Sequence, residues 1–213
     1  TWEAGDEIAV LYDGSIYKYS TSTAGATATF TSESGITEYD SSKQLEAYYP
    51  SSVTDGVFEI PSEMTVSDFA GKTTIYAAKP QLIGRPGGVV TSGTLPVHFK
   101  NVSSVLELAF DACPKVTSPV ASISIAPADE ASFSGQLSFK GTVDYENLKL
   151  TASSEGSSIV LNFGEGLDMN ANGYKIKLPV GRFDSPAGLY VTLTTKAGDK
   201  FAKNVYKDGV SSY

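Results

Sequence analysis

The 213-residue sequence holds one cysteine, Cys113, one histidine, His98, and two arginines, Arg85 and Arg182. A single cysteine excludes an intrachain disulfide and a thiolate metal cluster. It lies just past an apolar run, in Phe110-Asp111-Ala112-Cys113-Pro114, and reads as a buried, inert thiol. A single histidine leaves His98 as the sole imidazole for any Ser-His-Asp or Cys-His arrangement. That residue falls out of phase with Leu95, Val97 and Phe99, so it is expected on the opposite face of their strand. Few arginines, a formal charge of -8 and an isoelectric point near 4.7 exclude nucleic acid as a partner, because phosphate binding draws on clustered Lys and Arg. No apolar run approaches the roughly 18–20 residues of a membrane-spanning helix. The sequence also opens without a charged and then apolar leader, so the targeting segment of an exported protein is expected to lie outside it. Neither Gly164-Glu165-Gly166 nor the Gly84–Gly93 stretch is followed by Lys-Ser/Thr at the start of a helix, which excludes a phosphate cradle.

Serine, threonine, glycine and tyrosine are plentiful, while charged residues make up 19%, below the usual level of about 25%. Almost every apolar pattern has a period of two. Ile8–Tyr12 and Ser15–Tyr19 flank Asp13-Gly14, a pair that accepts the positive φ values of a hairpin turn. Further strands are expected at 26–31, 44–49, 57–60 and 74–78, with a single helical turn at 67–71. A Gly/Pro-rich passage from Gly84 to Gly93 reads as a linker. Strands then resume at 95–100, 104–110, 121–126, 133–140, 148–152, 158–163, 174–179, 189–195 and 200–206, the last pair closed by Lys196-Ala197-Gly198-Asp199. Short strands at this spacing predict an all-β protein of sandwich or barrel type, divided into domains at 1–92 and 93–213. A single elongated sandwich is the alternative.

Three clusters carry a resemblance. The chain opens with Trp2, Gly5, Asp6 and Ile8, continues to Ala47-Tyr48-Tyr49-Pro50, and reaches Val97-His98-Phe99-Lys100-Asn101. In this order they resemble the fimbrillin family of Bacteroidetes, and Lys177-Leu178-Pro179 with the strand after Leu189 is similar to that family's closing hairpin. The resemblance implies two transthyretin-like β-sandwich domains in tandem and a non-enzymatic fimbrial or accessory adhesin role. It also implies export through the periplasm as a lipoprotein precursor, a place at the outer membrane surface, and polymerisation with other fimbrial subunits by strand donation. A strand donor completes a sheet by ladder hydrogen bonds and fills an apolar slot with alternate side chains. Family precursors carry a signal peptide, a lipidated cysteine and an initial strand before the tryptophan, features the sequence does not include. After Tyr206 the residues through Tyr213 also depart from the family pattern.

Catalytic constellations are sparse, and no cofactor is expected. Glu38 with Asp40, or Asp129 with Glu130, has the composition of a glycosidase pair, but such neighbours are common on acidic surfaces. Asp168, Asn170 and Asn172 precede Gly173 as in the first half of a calcium loop. The twelfth position, however, is Pro179, which has no carboxylate, so a polar turn is the simpler reading. Tyr12, Tyr17, Tyr19, Tyr39, Tyr48 and Tyr49 crowd the first half, and aromatic faces stack on sugar rings, which makes a surface glycan-binding module the alternative function.

Overall fold

The computed structural model of the protein describes residues 1–170 and 172–212. Among them the protein is all-β, with no helix. The strands are β1 (Glu7–Tyr12), β2 (Ser15–Ser20), β3 (Leu45–Tyr49), β4 (Val57–Ile60), β5 (Glu63–Thr65), β6 (Thr74–Tyr76), β7 (Leu82–Pro86), β8 (Val97–Asn101), β9 (Ser104–Phe110) and β10 (Val120–Pro127). They continue as β11 (Ser134–Gly135), β12 (Ser138–Val143), β13 (Leu150–Gly156), β14 (Ile159–Leu167), β15 (Tyr174–Val180), β16 (Phe183–Ser185), β17 (Leu189–Thr195), β18 (Lys200–Val205) and β19 (Val210–Ser212). They fall into two compact units. The first comprises Thr1–Phe58, Pro80–Val102 and Gly141–Thr151; the second comprises Glu59–Lys79, Ser103–Lys140 and Ala152–Tyr213. The expected single cut after residue 92 differs from this division, since 59–79 belongs to the second unit and 141–151 to the first. The chain passes from one unit to the other after Phe58, Lys79, Val102, Lys140 and Thr151.

The first unit is built on the sheet β2-β1-β3-β7-β8, antiparallel throughout. Alternation sets its two faces. Ile8, Val10, Tyr12, Leu45, Ala47 and Tyr49 form one buried cluster, and the register carries that face on through Leu82 and Gly84 to Phe99 and Val97. The Asp13-Gly14 hairpin forms as expected, with both residues at positive φ. Two expectations fail here. Residues 26–31 form no strand but part of an irregular segment, 21–44, tied to the sheet by bridges at Gly25 and Thr31. Residues 82–86, in and beside the expected linker, are instead an inner strand, in which Gly84 leaves room for Phe99 and Val97.

In the second unit, the sheet β18-β17-β10-β14-β5 buries Ile123, Ile125, Ile159, Leu161, Leu189 and Val191 on one face, with Ser122, Ser124, Thr192 and Thr194 alternating onto the other. The sheet β6-β15-β9 lines up Ile75, Ile176 and Leu108, all buried, in one cross-strand row. Two parallel pairings, β14 with β5 and β15 with β6, are supplied by 59–79. The third sheet, β11-β16-β19, uses the residues after Tyr206 that depart from the family pattern. The helical turn expected at 67–71 is absent. Phe69 instead packs edge-on against Phe163, and Lys72 N–H closes a turn onto the Phe69 carbonyl. The strand expected at 133–140 breaks into β11 and β12 around Gly135, whose φ is +84°. Cys113 is half-buried rather than buried, and its N–H donates to the Met169 carbonyl at 2.7 Å.

Candidate functional site

Gly5 turns the chain into β1 at φ +89°, a conformation that a Cβ disfavours, and its N–H donates to the Thr21 carbonyl. The turn is held by Asp6, whose buried carboxylate accepts the Glu3 N–H at 2.8 Å and the Tyr49 hydroxyl at 2.8 Å. Tyr49 ends β3 with a cis peptide to Pro50. Its ring meets Trp2 edge-on at 5.2 Å; Trp2 also meets Phe99 of β8 at 5.2 Å and Phe30 of the irregular segment at 5.0 Å, both near perpendicular. Such pairs contribute about 0.5–1.5 kcal/mol each beyond their buried area. Trp2, Gly5, Asp6, Ile8, Tyr49, Pro50 and Phe99 therefore converge in the first unit. Tyr48 is the exception: alternation sends it to the other face, where it packs on Phe58 at 5.9 Å.

Around this aromatic cluster lies a cleft of about 860 Å³. Trp2 lines it beside Val10, Tyr19, Leu45, Val97, His98 and Phe99 of the sheet. The irregular segment supplies 26–31, Ile36, Thr37 and Tyr39, and the β7–β8 connection supplies Val90 and 93–96. No Asp, Glu, Lys or Arg is among the lining residues, in a chain of net charge -8. Gly84 shapes the floor, since a Cβ there would come within 2.9 Å of Phe99 and of Val97. The cleft falls within the range of about 300–1,000 Å³ typical of ligand sites.

β8 borders the cleft and ends the sheet. Its described pairing is with β7 alone. Gly87 N–H to the Pro96 carbonyl and Val102 N–H to the Gln81 carbonyl fix the hydrogen-bonding phase, so Ile83–Lys100 and Arg85–His98 are the bonded pairs. The backbone groups of Val97, Phe99 and Asn101 are then directed away from β7, toward the open edge. The side chains of the same residues face the cleft side.

Comparison of the chain with protein-family models, with curated proteins and with solved structures gives no match.

The other face of the sheet carries charge. Arg85 Nη2 lies 2.6 Å from Glu46 Oε1, and the Tyr48 hydroxyl donates to Glu46 Oε2 at 2.6 Å. Burial acts to raise the Glu46 pKa, but the hydrogen bonds from Tyr48 and Arg85 outweigh it, and the carboxyl titrates below its ordinary range. Burial, followed by the Glu46 hydrogen bond and charge, pushes the Tyr48 phenol well up. The turn between β12 and β13 docks here: Lys100 Nζ lies 4.2 Å above the Tyr145 ring and donates to the Tyr145 carbonyl at 2.9 Å, and the Arg85 guanidinium lies 5.1 Å from that ring. His98 pairs with Arg85 on this face, as its phase predicts, with its ring against Gly87, and it also borders the cleft.

Glu38 and Asp40 flank Thr37 and Tyr39 of the cleft wall without lining it, while the calcium-loop candidates and Asp129 with Glu130 lie apart from the cleft. Asp168 Oδ1 accepts the Asn170 N–H at 3.0 Å and its carbonyl accepts the Tyr174 hydroxyl, while the Asn170 amide donates to the Pro114 carbonyl. Asn172 is exposed beside them, and Ala171 lies outside the described residues. Asp129 and Glu130 bind Ala131 N–H and the Ser157 hydroxyl respectively. The sequence carried no sign of Phe30, Ile36 and Leu95 as cleft residues, or of Gly84 packed beneath Phe99 and Val97. Gly84 stands in a Gly/Pro-rich stretch, which reads as a linker.

Proposed function

We propose that the protein is a non-enzymatic, fimbrillin-like subunit or accessory adhesin of the bacterial cell surface, which assembles with other subunits by accepting a β-strand along β8. The observation that carries this reading is the coincidence of an open strand edge and an uncharged aromatic cleft on the same residues, Val97 and Phe99. An incoming strand would pair with their backbone and direct alternate side chains beside them into the cleft. The absence of Asp, Glu, Lys and Arg from the lining, where His98 is the one imidazole, favours uncharged inward residues, since a buried charge without a partner is costly. The transthyretin-like organisation of two tandem sandwich domains, export as a lipoprotein and an outer-membrane location belong to the same proposal. They rest on the resemblance of Trp2, Gly5, Asp6, Ile8, Tyr48, Tyr49, Pro50 and Phe99 to the family signature.

The glycan-binding alternative gains little from the six tyrosines that suggest it. Tyr12, Tyr48 and Tyr49 are buried, and Tyr17, Tyr19 and Tyr39 are half-buried against the first unit's core.

The test is hydrogen exchange on the full chain, mixed with synthetic decapeptides tiled over its own sequence and with one alternating Val and Thr. Protection of the Val97, Phe99 and Asn101 amides by at least one peptide is the expected result. Exchange at those amides that no peptide slows would defeat the strand-acceptor reading.

A further inference from the structure

The irregular segment that walls the cleft is long for a connection without strands of its own, since such loops seldom exceed about 12–15 residues unless they act as lids or binding loops. Its first part is fixed by backbone bridges. Trp2 pairs with Gly25 at 2.7 and 3.0 Å, and Ser20 with Thr31 at 2.9 Å in both directions. From residue 32 to residue 44 the attachment changes character. The Tyr19 hydroxyl accepts the Ile36 N–H at 2.7 Å, and the Tyr12 hydroxyl accepts the Asp40 N–H at 2.7 Å. An exposed ion pair joins Lys43 to Asp13, and the Tyr39 ring lies 5.7 Å from that of Tyr12. This stretch contributes Ile36, Thr37 and Tyr39 to the cleft wall, and both latching tyrosines rise from the sheet that floors it.

We infer that residues 32–44 form a hinged strap over the cleft, latched by the hydroxyls of Tyr12 and Tyr19, and that release of these two latches opens the cleft to the side chains of a strand pairing along β8. The inference rests on the strand-acceptor reading for what enters, but not for the opening itself. Two side-chain hydrogen bonds are a small barrier compared with a β-ladder, so the strap opens while the bridges at Gly25 and Thr31 hold its base. Gly35 makes the Tyr19 latch tight: a Cβ there would fall 2.6 Å from the hydroxyl oxygen. Any side chain at 35 therefore pushes the latch apart from the strap side.

The test uses the full chain and its one tryptophan, Trp2, which lines the cleft. Tyr12→Phe and Tyr19→Phe keep the rings and remove the latches. Each is expected to speed amide exchange at Asp40 or Ile36 by about five-fold, and the double variant to raise strap opening by about twenty-five-fold, with matching gains in acrylamide quenching of Trp2. Gly35→Ala, which leaves the sheet intact, is expected to act like Tyr19→Phe, and Tyr17→Phe to change neither readout. Stopped-flow mixing with the alternating Val/Thr decapeptide is expected to show pairing accelerated in the same order. Unchanged exchange and quenching in the double variant and in Gly35→Ala would overturn the strap. So would faster opening without faster pairing. A decapeptide that never pairs in any variant, while opening still accelerates, would instead bring down the strand-acceptor reading and with it the strap's role in admitting a strand's side chains.

Discussion

The Tyr49 hydroxyl donates a 2.8 Å hydrogen bond to Asp6 Oδ1, joining residues 43 positions apart at the point where β3 closes over the entry to β1. Both groups are buried, so the bond is made where water cannot replace it. Tyr49→Phe is expected to lower unfolding free energy by about 1.5–3 kcal/mol, the range for hydrogen bonds to a charged group. Asp6→Ala, which also releases the Glu3 N–H, should cost more. Urea denaturation followed by circular dichroism measures both, and a loss below about 0.5 kcal/mol for Tyr49→Phe would show that Asp6 does not depend on this partner.

Trp2 is the hub of three edge-on aromatic contacts. Trp2→Ala is expected to destabilise by about 3 kcal/mol, and Trp2→Phe by markedly less, because a smaller ring retains part of the packing. Thermal melting of the two variants beside the parent chain gives the comparison.

These first-unit contacts show what was legible in the sequence and what was not. Strands with clean alternation, such as β9 and the start of β17, were readable because one face is buried and the other is not. The residues that carry the resemblance fall in separate clusters of the sequence, and their joint role was not legible: Tyr49 and Phe99 reach Trp2 because the register of β3, β7 and β8 carries both to one face, and register is a long-range property. β7 was unreadable because Gly84 and Pro86 are turn formers locally, while the tertiary need was a thin strand beneath Phe99. β5, β6 and β16 are three residues each, too short for a period to emerge, although β6 coincides with the first half of an expected strand. Residues 26–31 alternate like a strand but present their side chains to a cleft wall. The cleft itself had no local signal, since its walls come from segments some 70 residues apart.

Gly84 supports a prediction about shape. Gly84→Ala places a methyl group within 2.9 Å of both Phe99 and Val97, so the ring must move off the strand. A loss of about 1–3 kcal/mol is expected, together with weaker pairing of strand peptides at β8. Melting and peptide-induced amide protection report the two effects separately, and unimpaired protection would mean that the Phe99 ring does not position the incoming strand.

In the second unit, a Cβ at Gly135 would lie 2.2 Å from the Arg182 carbonyl oxygen, with φ at +84°. Gly135→Ala is therefore expected to cost at least about 2–3 kcal/mol. Gly198→Ala, at φ +91° but with open space around the Cβ, should cost less. Equal melting temperatures for the two variants would assign the effect to backbone strain rather than to collision.

The Glu46–Arg85–Tyr48 group sets two pH limits. Glu46 titrates lower in the folded chain than in the unfolded one, so its contribution is fully present above the ordinary glutamate range of about 4.3–4.5 and is lost as pH falls through the folded value. Tyr48 titrates higher when folded, so its contribution is present below about pH 10 and is lost as pH rises beyond it. Denaturation midpoints across both ranges should show the two declines. Glu46→Gln is expected to flatten the acid limb, and an acid limb identical to that of the parent chain would remove Glu46 as its source.

The exchange of segments 59–79 and 141–151 between the two units makes them inseparable products of one gene. A fragment ending at residue 92 would lack β8 and the turn carrying Tyr145, and the complementary fragment would lack β5 and β6. Neither half can be shuffled to another protein as a ready-made module, and neither can finish folding before distant parts of the chain have been made. Such non-local closure slows folding, and changes to either unit must be inherited with the other.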